Sequence, residues 1–189
     1  MRALFGPWRP APMLRGLALF AALLGACGGG LVRAQSASGD AAAKAKFTVT
    51  LARFVQWPAG VLADDTAPLR LCVLHNSPAV GAAFARYDGE AVGRHALSVV
   101  PYPAPRGSVC HLLFVDSSAA RAGADAVVLI AGAPVLTLGT VDGFLSQGGM
   151  VELANVNDAL RFDVNLKVVR SVQLGISSQA LRLARQVRE

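Results

Sequence analysis

Residues 148–166, GGMVELANVNDALRFDVNL, constrain the fold more than any other stretch. Val151 and Leu153 alternate with Met150 and Glu152, and Leu160, Phe162, Val164 and Leu166 alternate with Arg161, Asp163 and Asn165. Period two puts one set of side chains on a buried strand face and the other on a polar face. Asn155-Val156-Asn157-Asp158, between the two runs, is turn chemistry, because Asn and Asp bond their own backbone and tolerate left-handed φ. The stretch reads as a β-hairpin laid on the core near the end of the fold, and it contains no catalytic set.

The rest of the mature chain alternates helical and strand patterns. Phe47, Leu51, Phe54 and Val55 recur at helical spacing, predicting a first helix over residues 41–56 that Pro58 and Gly60 end. Residues 69–75 form a continuous apolar run, as in a strand covered on both faces. Ser77 is placed to cap, and Pro78 to start, a helix running to about Tyr87. Further strands are expected at 95–101, 109–115 and 134–138. A helix over 123–130 precedes the last of them, with Ser117 or Ser118 as a cap upstream. Thr140 or Asp142 opens a short helical turn through Phe144 and Leu145, which Gly148-Gly149 stops. Ser177 or Ser178 caps a helix reaching the C-terminus, with Ala180, Leu181, Ala184 and Val187 on one face and Arg182, Arg185 and Arg188 toward its end. This order predicts an α/β fold: a single-layer, mainly parallel sheet flanked by helices, with a C-terminal β-hairpin and a terminal helix. No internal repeat or linker divides residues 41–189.

The N-terminus is of another kind. Arg2, Arg9 and Arg15 precede the apolar residues 16–26, a signal-peptide pattern too short to span a bilayer as a mature helix. Two processing sites compete. Val32-Arg33-Ala34 suits an ordinary cut before Gln35, making residues 1–34 a signal peptide. Leu24-Gly25-Ala26-Cys27 resembles a lipobox, which would leave Cys27 lipidated and the protein membrane-anchored. Both routes export the chain to the periplasm, with residues 35–40 as a short disordered leader. The N-terminus also explains the net charge of +6. Four of the 18 basic residues precede Gln35, and the other 14 face 12 carboxylates, a net +2. That is too little and too scattered for a nucleic-acid footprint.

Three cysteines are present, Cys27, Cys72 and Cys110. Either processing route takes Cys27 out of thiol chemistry and leaves one pair in an oxidising compartment, which favours a disulfide over two buried free thiols. Both cysteines lie in apolar runs, Leu71-Cys72-Val73-Leu74 and Val109-Cys110-His111-Leu112, and can meet if those strands are neighbours. A metal site fits poorly, since two sulfurs and His111 lack paired ligand spacing.

No catalytic constellation emerges. The serines lack a G-x-S-x-G elbow, His75, His95 and His111 are dispersed, and Gly81, Gly89 and Gly93 make no dinucleotide fingerprint. No cofactor motif is present. His111, within an apolar run, reads as a packed, hydrogen-bonded core histidine, and Asp116 as helix-start chemistry. Trp57 reads as packing at the helix exit, with an exposed platform as the alternative. Arg161 and Asp163 project together from the hairpin's polar face, suiting an ion pair or a partner contact. Trp57, Arg161, Asp163, Arg182 and Arg185 are the candidate partner-contact residues.

Taken together, Lys46-Phe47 through Phe54-Val55-Gln56-Trp57-Pro58, then Leu71-Cys72-Val73-Leu74, Cys110-His111-Leu112-Leu113-Phe114-Val115 and Val135-Leu136-Thr137 resemble the YfiR-like periplasmic proteins. So do Gly148-Gly149-Met150-Val151, Leu160-Arg161-Phe162-Asp163-Val164-Asn165-Leu166 and the run from Ile176 to Ala184. The resemblance spans residues 41–187. It implies a non-enzymatic exported repressor, usually a homodimer, that acts on the periplasmic sensor region of an inner-membrane diguanylate cyclase and lowers cyclic di-GMP signalling and biofilm formation. It also implies that Cys72 and Cys110 match one family disulfide. A second pair found in some members has no counterpart here, because residues 146–153 hold no cysteine. The residues alone leave another reading open, a periplasmic small-ligand or transporter-accessory protein binding at loops 75–78 and 116–118.

Overall fold

Leu71, Val73, Leu112, Phe114, Leu136 and Leu138 belong to one apolar cluster, and Cys72, Leu113 and Val115 to another. Successive strand residues point to opposite faces, so the centre of the sheet is buried on both sides. The computed structural model describes residues 28–189 apart from Ala63, Asp65 and Asp158, with side chains from Ser36 onward. The chain divides into two units, residues 1–36 and 37–189, and the fold below is that of the second. The signal-peptide core and Cys27 lie outside the described residues.

Helix α1 (Gly28–Ala52) leads into β1 (Val55–Gln56). Next come β2 (Leu69–Leu74), α2 (Pro78–Ala85), β3 (Ala91–Val92) and β4 (His95–Pro101). β5 (Leu112–Val115), α3 (Ala120–Leu129) and β6 (Leu136–Gly139) complete the parallel region. A 3-10 turn, Phe144–Gln147, precedes β7 (Val151–Val156), β8 (Ala159–Asn165) and α4 (Leu166–Ser171). β9 (Gly175–Ile176), α5 (Ser178–Leu181) and β10 (Gln186–Arg188) follow. Eight strands form one sheet in the order β10-β8-β7-β6-β5-β2-β4-β3, while β1 and β9 pair separately. The contacts from β4 through β7 are parallel, and β7–β8 and β3–β4 are antiparallel. The fold is α/β, as expected.

α1 and α2 cover one face, where the Phe84 and Phe114 rings lie 4.6 Å apart. α3 covers the other with Ala126 and Val127. The opening hairpin is present, with Val151 paired to Val164 and Val156 to Ala159. Its turn is tighter than the sequence suggests. Asn155 and Val156 remain in the ladder, and Asn157 takes left-handed φ of 51°, which suits a two-residue hairpin connection. Before the hairpin, Gly148 ends the 3-10 turn at φ 92°. Gly149 lies so close to the Phe144 ring that a Cβ there would overlap it, which explains the paired glycines physically.

Four details differ from the expectation. Residues 36–40, read as a disordered leader, are helical within α1. Ser36-Ala37-Ser38-Gly39-Asp40 has no apolar periodicity and little helix propensity of its own, but it leads into Ala41-Ala42-Ala43, and Lys44 pairs with Asp40 at 2.7 Å across one turn. α1 stops at Ala52, and Val55–Gln56 instead pair with β9. Ser77 offers no side-chain cap to α2, where Pro78 supplies the pre-set first turn. The terminal helix lasts one turn. Ser177 caps it as predicted, and then the Arg185 N–H donates to the Phe162 carbonyl and β10 joins β8 in parallel. The open edge of β8 offers backbone partners that an isolated short helix cannot match.

Cys72 and Cys110 are bonded, with Cα atoms 5.8 Å apart. Neighbouring β2 and β5 bring them together, although Cys110 precedes β5 rather than lying in it. Cys72→Ala/Cys110→Ala, or full reduction, should lower unfolding free energy by up to about 4 kcal/mol on the chain-entropy estimate for a loop of this length. Denaturant titration of oxidised and reduced protein measures the difference.

Candidate functional site

Parallel α/β sheets bind ligands where adjacent crossovers leave to opposite faces. Here that crevice lies beyond the ends of β2 and β5, since α2 packs on one face and α3 on the other. Asn76, Ser118, Asp116, Thr140 and Lys44 bond one another there, while His75 Nδ1, just past β2, is buried without a hydrogen-bond partner among the described residues. The Asn76 N–H donates to Ser118 Oγ at 3.0 Å, and Asn76 Nδ2 to the Ser118 carbonyl at 2.8 Å. Asp116 accepts from the Ser118 N–H and hydroxyl and from Thr140 Oγ1. It thereby caps the following turn, the helix-start role read for Asp116 from the sequence, in place of Ser117 or Ser118. Lys44 of α1 completes the set, with Nζ 3.2 Å from Asp116. Asp40 extends the network, pairing with Lys44 and accepting from Asn155 Nδ2 at 3.1 Å.

Burial opposes both charges, and the partners outweigh it. Burial lowers the Lys44 pKa, but the Asp40 hydrogen bond and the Asp116 charge leave it above its ordinary value. Burial raises that of Asp116, but donation from Ser118 and Lys44 leaves it below the usual carboxylate range. The pair is therefore charged from weakly acid to strongly alkaline pH.

Two of the three histidines bond the backbone. His111 Nδ1 accepts the Arg70 N–H at 2.9 Å, which fixes the proton on Nε2. Burial, then the Arg70 charge, holds its pKa below the ordinary histidine value despite the bond to the Val61 carbonyl. This is the core histidine the sequence suggests. His95 Nδ1 meets the Ala67 carbonyl at 2.9 Å and so carries its hydrogen there. The His75 ring packs against Gly81, where any Cβ would collide with it. Among the described residues no group of three His, Cys, Asp or Glu is arranged to hold a metal.

The hairpin's polar face is used internally. Glu152 accepts from the Gly143 and Leu145 N–H groups, capping the 3-10 turn. Asn165 caps α4 by accepting the Val168 N–H. Asp163, expected to project beside Arg161 from an open face, is only 5% exposed. It receives Nε and Nη2 of Arg185 in a bidentate ion pair, because β10 adds to β8 and covers it. Arg161 stays exposed on the same strand. Trp57 is half-buried and donates its indole N–H to the His111 carbonyl at 3.3 Å, as packing at the helix exit requires. It also walls a cleft of 310 Å³ with Arg53, Leu69 and His95. The candidate partner-contact residues are thus dispersed, apart from the Asp163–Arg185 pair.

The feature that sequence reasoning missed is an apolar groove of 450 Å³ between α1 and α5. Phe47, Thr50, Leu51 and Phe54 form one wall, Gln179, Ala180, Arg182 and Leu183 the other, with Phe162 of the hairpin among the lining residues. The Phe47 and Phe162 rings pack 5.0 Å apart. Phe54 is 36% and Leu183 75% exposed. The helical spacing of Phe47, Leu51 and Phe54 was visible in the sequence, but it was indistinguishable from a fully buried stripe.

A strand-end network of Asn76, Ser118, Asp116 and Lys44, a one-disulfide α/β scaffold and an open apolar groove are the features this fold brings together. The YfiR/HmsC-like family model matches residues 41–185, and the chain belongs to that family. No curated protein matches it. No described helix is long and apolar enough to cross a membrane.

Lys44→Met leaves Asp116 buried with its hydroxyl and N–H donors but no cation. We expect a loss of about 2 kcal/mol by urea titration, below the cost of breaking a fully buried pair. Neutral His111 stabilises the fold above its unfolded-state pKa of about 6.5, and that contribution is lost as pH falls through the lower folded value. The urea midpoint should drop between neutral and acid pH, and less steeply in His111→Asn, which keeps an acceptor for the Arg70 N–H and does not titrate.

Proposed function

We propose that the protein is an exported, non-enzymatic regulator that represses a membrane-bound diguanylate cyclase through its periplasmic region and so lowers cyclic di-GMP. Membership of the YfiR/HmsC-like family supports the class of regulator. The observation that carries the binding role is the α1–α5 groove, which offers aromatic and aliphatic side chains to another molecule's apolar surface. One wall comes from a helix that Lys44 ties to the strand ends through Asp116, which limits the ordering that binding there would require. In this reading residues 1–34 are the export signal, with lipidation at Cys27 as the alternative maturation, and residues 41–189 are the working domain, active as a homodimer. Arg161 and the Trp57 cleft remain further surfaces for contact.

Deleting the gene in its native cell should raise cyclic di-GMP severalfold and increase biofilm, and re-expression should restore both. Unchanged cyclic di-GMP, measured by mass spectrometry of nucleotide extracts, overturns the proposal.

A further inference from the structure

Resting on this regulatory reading, we propose that the α1–α5 groove is the docking cleft for an amphipathic helix of a protein partner, one whose apolar stripe is flanked by carboxylates. The shape argues for a helix. Phe47 and Leu51 lie one turn apart on α1, and Phe54 follows in the turn just past its end, so that the three form one apolar ridge along the groove. Leu183 and Ala180 stand across from it, with Phe162 between. An incoming helix anchors in such a groove through its own residues at i, i+3 or i+4, and i+7. Of the large apolar side chains exposed among the described residues, Phe54 and Leu183 are the two that line this groove.

Charge selects which helix. Among the described residues Arg182 is the one charged residue lining the groove, and no carboxylate lines it. On the other wall Lys46 is exposed and lies one helical turn before Thr50, on the flank next to the apolar ridge. Neither cation has an ion-pair partner among the described residues, in contrast to Lys44 with Asp40 and Asp116, Arg53 with Glu90 and Arg185 with Asp163. Cations on both rims attract Asp and Glu beside the apolar stripe and repel a basic helix. The same cations disfavour a second copy of this chain, because a two-fold contact through the groove would set Arg182 against its own equivalent.

The test places a photo-reactive phenylalanine analogue at Leu183 of the full-length chain, expressed in its native cell in place of the normal protein. After irradiation, mass spectrometry maps the residue that is cross-linked. The expected product joins Leu183 to a helical segment of another protein with apolar residues at the anchor spacing and Asp or Glu beside them. Lys46→Glu with Arg182→Glu should lower its yield by roughly fivefold, as expected for reversed rim charges, while Arg182→Lys retains it. Circular dichroism and the thermal midpoint establish that the variants fold. A cross-link to a second copy, to lipid, or to a basic or non-helical segment overturns the proposal, as does a yield indifferent to charge reversal or no cross-link at all. If an acidic helix is captured but gene deletion leaves cyclic di-GMP unchanged, the cleft stands and the cyclase reading falls. If deletion raises cyclic di-GMP but a folded Leu183→Asp variant represses normally, the cyclase reading stands and the cleft falls.

Discussion

Everything on the α1 face depends on where the buried Lys44–Asp116 pair holds that helix. An ammonium and a carboxylate withdrawn from water cost more than they return unless each is paired and hydrogen-bonded. Here Asp40 and Asp116 share the lysine, and Ser118 and Thr140 complete the aspartate's shell. Such a geometry is satisfied in one place only. It sets the axial position of α1 over the strand ends, and through Asn155 it ties the same helix to the hairpin. Hydrophobic contacts along Ala41, Ala45, Val49 and Ala52 bind α1 to the sheet but are non-directional. The ion pair supplies the register.

The same network changes what the strand ends can do. In many α/β folds the crevice at the switch point is left open for a ligand. Here Asn76, Ser118, Asp116 and Lys44 fill it with bonds to one another, so it acts as a joint between β2, β5 and α1. Open apolar surface lies elsewhere, where α1, the hairpin and α5 leave a groove only partly closed. The hairpin contributes Phe162 to that groove, while its polar side chains cap helices and receive Arg185. One face lines the groove and the other locks the sheet edge.

The disulfide and His111 sit side by side at the opposite end of the same strands. The bridge links β2 to the chain entering β5, and the His111 imidazole accepts the Arg70 N–H one residue from the start of β2. The Trp57 indole adds a third tie to the His111 carbonyl. A covalent bond, a neutral imidazole and an indole N–H thus fix the central strand pair where the parallel ladder begins, as Lys44 and Asp116 fix it where the ladder ends.

Local pattern was enough to find the hairpin, strands β2, β4, β5 and β6, helix α2 and the cysteine pair, because each has its own period, breaker or parity. It was also enough to read His111 as a core residue, since a lone imidazole in an apolar run must find a hydrogen-bond partner. Local pattern could not assign residues whose partners are remote in sequence. Ala180, Leu181, Ala184 and Val187 have helical spacing, yet β10 forms because β8 presents an open edge that no window of sequence reveals. Asp163 looked exposed by alternation, and the arrival of Arg185 buried it. Lys44 carried no signal, being one lysine among alanines, until the fold brought Asp116 to it across 72 positions. The groove belongs to the same class: its aromatic wall is written in α1, but whether a stripe is covered or left open depends on what else packs there. Sequence by itself determined the elements and their apolar faces, because those follow from spacing along the chain. Tertiary structure alone decided which charges are paired and which apolar surface stays open, because those depend on distances through space.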